Sequence, residues 1–438
     1  MFKKILRVIS YILIIAYILT APYYLNSVFT DKYLVQDDKV QWSGVITMWD
    51  IPRLTINGSE FGWIKGRIDE YQKLNPNIHI ELRELHYDDN KEIAFKAALG
   101  EDYPDIMPLF IENEVLPLDH VMPVNLLDED DQLISIKDSL ISTVYKDEKI
   151  WGIPVYYSTN VLIINKELID SIGVKLPKDM DYDTFLSFLK EIEEKETTGE
   201  IAPFDFYIGE EANSIMPFFF SDGGNIFSAD EGSEVNFYSN EVVSGLEKLK
   251  RISENLSTLH DDYGNRGKVQ ATTDFYNGKT AVLAGSLTDV NGLLRRNNQD
   301  RGFEFELLQY PKGQSEAPVY FTEDVGAYAI MDTNSNEKKE ALYDFMKFLL
   351  SKESQMSLEN IGRLPSCEGY DYNFETHTHL NTLNDSTFLE TMPFYLDRSQ
   401  IYSTINEELK KMFKDNQPVT ETLYNIQKST NMSFIEKR

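Results

Sequence analysis

The sequence has 438 residues, 42% of them hydrophobic, and a formal net charge of −30 at pH 7. That length exceeds what a single core keeps filling, so two lobes are expected. A surface this acidic repels phosphate backbones, which excludes nucleic acid as a partner, and the single cysteine, Cys367, excludes an internal disulfide and a cysteine-built zinc cluster.

Lys3, Lys4 and Arg7 precede an apolar run over residues 8–21. A basic flank before such a run addresses the chain to a membrane, with the flank inside and the bulk outside. Leu19 and Pro22 beside Ala21 make a poor peptidase site, and residues 5–25 approach the ~20 apolar residues that span a bilayer. The expectation is a signal or anchor helix over residues 1–25, retained rather than cleaved, and a polar tether over residues 26–41. Cleavage would instead release the chain.

Residues 45–49 (Val-Ile-Thr-Met-Trp) read as a strand with Asp50 at its carboxyl end, where ligands of open α/β sheets sit. Phe61, Ile64, Ile68, Tyr71 and Leu74 recur at helical spacing until Asn75-Pro76 stops them. Ile78, Ile80 and Leu82 alternate as a second strand, residues 92–99 read as a short helix, and Pro104-Asp105-Ile106-Met107 as a third strand. This βαβαβ order implies a parallel sheet with right-handed crossovers. Residues 128–131 are a charge run, read as a solvated turn.

Asp147-Glu148-Lys149 is a polar turn, and residues 150–154 form a short apolar piece ended by Pro154, which lacks an N–H. Residues 161–164 are an unbroken apolar run, the mark of a strand buried on both faces. A short helix from Asn165 ends at Gly173. Asp181 or Asp183 then caps a helix carrying Phe185, Leu186, Phe188, Leu189 and Ile192 on one face. Residues 204–208 are strand-like, residues 215–220 an aromatic buried helix, and residues 241–253 an amphipathic helix. Phe275-Tyr276-Asn277-Gly278 closes another helix before a strand at residues 280–284. Residues 325–330 form a strand, and Asn334 with Glu337 has capping-box spacing for the next helix. Residues 407–413 and 419–426 close the chain as helices.

Several of these segments, in this order, resemble a family. Trp151-Gly152-Ile153-Pro154, Ile164-Asn165-Lys166, Gly173 and Pro177 form one run, and Leu116-Pro117-Leu118-Asp119 precedes it. Phe275 through Ala281 with Gly278-Lys279, the Gln309-Tyr310-Pro311-Lys312-Gly313 turn, the Gly326 to Ile330 strand and Gly362-Arg363-Leu364-Pro365 follow. The order is similar to that of the extracellular solute-binding proteins of ABC importers, the sugar-binding group of maltose-binding protein, over about residues 42–427.

The resemblance implies an α/β, two-lobed periplasmic-binding-protein fold of type II. Each lobe would be a mainly parallel sheet flanked by helices, with three hinge crossovers near residues 152–154, 284–286 and 330–333. The lobes would comprise residues 42–153 with 285–330, and 154–284 with 331–438. It implies a monomeric receptor outside the cell that closes on a small solute, most simply a sugar, and delivers it to permease subunits. No bond chemistry and no cofactor are implied.

Cleft residues must come from strand ends and crossovers. The candidates are Trp49, Asp50, Glu112, Asn113, Tyr156, Tyr157, Ser286, Glu323, Asp324, Arg363 and Tyr402. Aromatics stack on sugar faces, and carboxylates and amides take hydroxyl hydrogen bonds. Each has a plainer reading: Trp49 as core, Glu323 and Asp324 as a solvated loop, Arg363 as a structural ion pair. Tyr156 and Tyr157 face opposite ways if extended, so only one lines the cleft. Leu109, Asn213 and Leu287 stand where sugar-binding relatives carry aromatics, which leaves the substrate open.

Two other readings compete with the receptor. An enzyme would need a carboxylate pair at defined separation, and acids are too frequent here for any pairing to inform. His377-x-His379 lacks further ligands at metal spacing and reads as a loop. There is no Gly-x-Ser-x-Gly and no P-loop. A membrane-anchored sensor presenting ligand to a signalling partner is the other rival.

Overall fold

The computed structural model describes residues 42–85, 103–111, 114–124, 136–177, 181–209, 213–227, 235–313, 320–370, 388–392 and 396–436, with Thr20. Glu112, Asn113, the helix expected at residues 92–99, the 128–131 charge run, His377 and His379 lie outside the described residues, as does the expected anchor segment apart from Thr20. Among the described residues no helix is long and apolar enough to cross a membrane. The chain divides into two units, residues 1–41 and the body that begins at Trp42.

That body opens with β1 (Gly44–Asp50), α1 (Gly62–Leu74), β2 (Ile78–Glu84) and β3 (Ile106–Pro108). β1 pairs in parallel with both β2 and β3, as a βαβαβ order requires. α1 buries Trp63, Ile64, Ile68 and Tyr71 and ends at Asn75, before Pro76. Asp147 and Glu148, at φ 51° and 60°, make the tight turn of a hairpin between residues 145–146 and 149–150.

The next strand departs from the sequence reading. Pro154 does not end a short strand. It is the second residue of β4 (Ile153–Asn165), which is buried along its whole length. Two features make this tolerable. A proline near a strand start loses only one ladder donor, and the register slips opposite it, where Gly326 pairs with Tyr156 and Ala327 with Pro154. β4 continues into α2 (Lys166–Ser171), then α3 (Tyr182–Lys195), β5 (Ala202–Phe206) and α4 (Met216–Phe220).

Between the two expected caps of α3 the structure selects Asp181, whose side chain accepts the Thr184 N–H at 2.7 Å. The Asp181→Ala variant should therefore lose about 1 kcal/mol. Asp183→Ala should lose a few tenths at most, because it removes only a first-turn charge. Urea unfolding of the two variants would check the order.

Beyond α4 come α5 (Asn240–Asn255), α6 (Lys268–Tyr276), β6 (Thr280–Ser286), α7 (Leu287–Asn297), β7 (Phe305–Leu308) and β8 (Tyr320–Ile330). α8 (Asn336–Leu349), β9 (Leu364–Pro365), β10 (Phe388–Thr391), α9 (Arg398–Lys414) and α10 (Val419–Glu436) complete the order. The N-cap of α8 is Ser335, not Asn334: its side chain accepts from Lys338 N–H at 3.2 Å and donates to Glu337.

The sheet runs β2-β1-β3-β8-β4-β6-β5, with β7 and β9 also on β4 and β10 on β8. β1–β2, β1–β3, β5–β6 and β8–β10 are parallel. The two long strands run antiparallel to each other, β8 also to β3 and β4 also to β6 and β7, so the sheet is mixed where they enter. β4 is shared along its length: residues 153–159 pair with β8, while residues 160–164 pair with β6 and residues 162–165 with β7. The apolar stretches at its two ends explain this, since each end is buried on both faces. The intervening Ser158, Thr159 and Asn160 are polar and fully buried.

Each end of β4 has its own packing. On one side Tyr71 of α1 packs against Phe345 of α8, ring centroids 5.0 Å apart, and donates its hydroxyl to Asp344 at 2.8 Å. On the other, Phe204 of β5 meets Phe185 edge-on at 5.6 Å, within a core that draws residues from α3, α4, α5, α9 and α10.

Candidate functional site

Two polar clusters meet where β4 and β8 run together. The first is built at the carboxyl end of β1. Asp50 is buried, and its carboxylate accepts from the Ile51 N–H at 3.0 Å, from Arg53 Nη1 at 2.7 Å and from the Tyr328 hydroxyl at 3.0 Å. Burial lowers the Arg53 guanidinium, but Asp50 and Tyr328 outweigh it and hold it above its ordinary value. Arg53 lies over the Tyr156 ring, Cζ 4.9 Å from the centroid, and Arg363 approaches the same ring at 6.0 Å. Trp63 meets Tyr156 edge-on at 6.2 Å. The buried Tyr156 hydroxyl makes no hydrogen bond.

Arg363 links this cluster to the second. It donates to Asp324 at 3.2 Å and to the Thr288 hydroxyl, in the first turn of α7, at 3.0 Å. Asn291, one turn on, donates to the Leu54 carbonyl at 2.7 Å, so the loop after β1 touches α7 directly.

The second cluster centres on Lys268, at the start of α6. Its ammonium lies 3.6 Å from Asp289, 3.7 Å from Glu323 and 3.4 Å from the Ser286 hydroxyl, and over the Tyr207 ring at 5.2 Å. Asp289 accepts from Ser286 N–H at 2.8 Å, Ser286 Oγ at 3.0 Å and the Tyr207 hydroxyl at 2.9 Å. Burial pulls the Lys268 ammonium down, but Asp289 and Glu323 more than restore it, leaving it above its ordinary range. Burial pushes the Glu323 carboxyl up, with Lys268 only partly offsetting it. Burial also raises the Tyr402 hydroxyl, to about 12, against the pull of Arg398.

Of the sequence candidates, Asp50, Tyr156, Ser286, Glu323, Asp324 and Arg363 are thus brought into one continuous network. Tyr157 points away from it, its ring 5.1 Å from Lys137, as the alternation of an extended strand demands. Trp49 is buried under Arg83, 4.5 Å away, on the β2 side. Tyr402 is buried in the core that contains α9, and Arg398 of the same helix donates to the Glu323 carbonyl at 3.1 Å.

Sequence reasoning missed Arg53, Tyr207, Lys268, Asp289 and Tyr328. Asp289 had a usable signal: Ser286-Leu287-Thr288-Asp289 is a capping-box spacing, and the box is formed at the start of α7. It also gives Ser286 a structural duty. Lys268 carries no local pattern, since its partner Glu323, 3.7 Å away, comes from a distant segment. Arg53 pairs with Asp50 three residues earlier, but Tyr156 and Tyr328, which place that pair in the site, are remote in the sequence.

The arrangement offers an aromatic face, three cationic donors and four carboxylate acceptors, which is chemistry for holding a polar solute by hydrogen bonds.

Solved structures share this fold. The cyclic α-maltosyl-1,6-maltose binding protein of Arthrobacter globiformis is 17% identical, covers 90% of this chain and 100% of its own, and has a TM-score of 0.75. The sugar-binding protein MalE of Xanthomonas citri is 14% identical, covers 90% and 98%, and has a TM-score of 0.72. None of the curated proteins matches the sequence. Residues 57–356 match the family described as bacterial extracellular solute-binding protein. That match spans more than half of the 438 residues, and with the fold in agreement the chain belongs to the bacterial extracellular solute-binding proteins.

Proposed function

We propose that this protein is an extracytoplasmic receptor that captures a small carbohydrate between two lobes and hands it to the permease of an ABC transporter. It binds and releases the sugar and makes or breaks no covalent bond. The observation that carries this reading is the network joining Asp50, Arg53 and Tyr156 to Lys268, Asp289 and Glu323 through Arg363. A solute bridging the two clusters would favour a closed form by its differential affinity for it. The structures of similar fold from Arthrobacter and Xanthomonas are both sugar binders by description.

Among the strand-end and crossover residues, Asp50, Tyr156, Ser286, Glu323, Asp324 and Arg363 are proposed to face the ligand, joined by Arg53 and Lys268. Trp49, Tyr157 and Tyr402, which lie away from the network, are left out of this set, with Glu112 and Asn113 the remaining candidates. The strand pairings support lobe boundaries other than those at residues 153, 285 and 330. β7 lies on the same end of β4 as β6, and α8 packs on α1. The lobes would accordingly take the described residues of 42–157 with those of 325–370, and the described residues of 160–320 with those of 388–436. Among the described residues the crossings fall at 158–160 and 321–324. The basic flank and apolar run at the N-terminus would hold the receptor, as a monomer, on the outer face of the membrane.

A thermal-shift screen of neutral mono- and oligosaccharides, polyols, amino acids and short peptides tests this. At about 100-fold excess over Kd a ligand adds ~2.7 kcal/mol, so at least one saccharide should raise Tm saturably and be recovered unchanged. Stabilisation by peptides or amino acids alone, or turnover of the sugar, overturns it.

A further inference from the structure

The ladder between β4 and β8 is broken at one place that aims a side chain. Thr322 pairs with Thr159 and Asp324 with Ser158, so Glu323 is an extra residue on β8. A bulge of this kind bends the strand and redirects the extra side chain. Here it turns Glu323 away from the alternation of the strand and toward Lys268 at the start of α6. The Glu323 side chain is only 10% exposed, and its Oε2 is buried without a hydrogen bond.

The charges around it are unevenly matched. Arg53 is paired with Asp50 at 2.7 Å and Arg363 with Asp324 at 3.2 Å. Lys268 stands between Asp289 at 3.6 Å and Glu323 at 3.7 Å. Three cations therefore face four carboxylates, and the nearby Arg398 is taken up by the Glu323 and Met392 carbonyls. Asp289 Oδ2 is already supplied with donors from Ser286 and Tyr207. The carboxylate oxygen left over is Glu323 Oε2. A buried charged acceptor without a donor is costly, and a ligand donor that reaches it relieves that cost. A ligand carboxylate in the same place would add a like charge and leave both unsatisfied.

Resting on the receptor reading above, we infer that Glu323 is the specificity-determining residue of the site: it selects saccharides that present hydroxyl or ammonium donors and excludes acidic sugars such as uronates. Arg53 and Arg363 do not rescue a uronate, because each is already engaged by its own carboxylate.

The test is isothermal calorimetry on the full chain at pH 7 and moderate salt. The probes are neutral di- and trisaccharides of galactose, mannose, glucose and xylose, together with the di- and trimers of galacturonate and mannuronate. The expected result is that at least one neutral sugar binds, while no uronate binds within 100-fold of it, a gap of about 2.8 kcal/mol at 1.4 kcal/mol per tenfold. Glu323→Gln keeps the shape and removes the charge. It should weaken the neutral sugar tenfold or more and narrow the gap to its uronate counterpart. A uronate that binds wild-type protein within tenfold of a neutral sugar overturns the assignment and leaves the receptor reading standing. So does a folded Glu323→Gln protein with an unchanged neutral-to-uronate ratio. If no saccharide of either kind binds, the receptor reading falls and this inference with it. The wild-type comparison needs no variant, so a poorly folding Glu323→Gln protein does not shelter the idea.

Discussion

Replacing Arg266 with leucine is expected to destabilise the protein by about 3–5 kcal/mol, the cost of leaving buried charge without its partner. Arg266 is buried, and its guanidinium meets three carboxylates: Asp205 through Nε at 2.8 Å, Asp262 through Nη1 and Asp274 through Nη2. Asp205 is fully buried on β5, and burial raises its carboxyl to about 7, with Arg266 opposing the rise. Burial also pushes Asp262 and Asp274 up, but their hydrogen bonds to Arg266 outweigh it and hold both below the usual carboxylate range.

The signs give a pH test. A raised folded value means that Asp205 favours folding most below the unfolded value of about 3.9 and loses that contribution as pH rises through about 7. The lowered values of Asp262 and Asp274 act oppositely: their contribution is full above about 3.9 and is lost as pH falls through their folded values. Without Arg266 the three acids lose the cation they share and keep only Lys279 beside Asp274, Gln270 beside Asp262 and His260 beside Asp205. The loss in Arg266→Leu should therefore be larger at pH 8, where Asp205 is ionised and His260 neutral, than at pH 5. Adding Asp205→Asn should recover part of it. Urea unfolding at the two pH values measures both, and a loss below about 1 kcal/mol at pH 8, the range of an exposed pair, would falsify the clamp. The clamp also bears on binding. The Arg266 carbonyl, two residues before Lys268, accepts from Ile208 N–H at 2.9 Å and so fixes where α6 begins.

Gly326→Ala is expected to cost about 1–3 kcal/mol, the range for overpacking a filled interior, and to disturb ligand binding at the same time. Gly326 pairs with Tyr156 across the β4–β8 ladder. A Cβ there would fall 1.9 Å from Cζ of the Tyr156 ring. The ring cannot easily give way, because Trp63, Arg53 and Arg363 surround it. The glycine is thus required by close approach rather than by an unusual backbone angle. A Tyr156→Ala change in the same chain should relieve the clash, so the double variant should be more stable than the sum of the single losses predicts. Strict additivity would show that the ring and the glycine do not compete for the same space.

The legible parts of this protein are those set by local patterning. The 3.6-residue spacing of α1 and α3, the alternation of β2 and the stop at Asn75-Pro76 depend on neighbours in sequence, and they appear where expected. The ordered run of turns and strands is enough to point to the family, because it records the connection order of the fold. Local signals are less reliable where the third dimension can compensate. Pro154 reads as a stop, yet the register slip opposite it lets β4 run on to Asn165. Asn334 has the spacing of a cap, yet Ser335 is the residue whose side chain reaches the free N–H.

By itself, then, the sequence determined the class of fold, the family and the strand ends from which a site could be built, because hydrophobic period and connection order are properties of the chain alone. Only the tertiary structure decided which charges belong to that site. Lys268 meets Glu323 and Asp289, and Arg53 meets Asp50 over the Tyr156 ring. In a chain with 72 acidic residues no single carboxylate stands out. Electrostatic partnership falls off within a few ångströms and is blind to separation along the chain. The bulge that turns Glu323 inward is likewise a property of two strands in register, which neither strand carries alone.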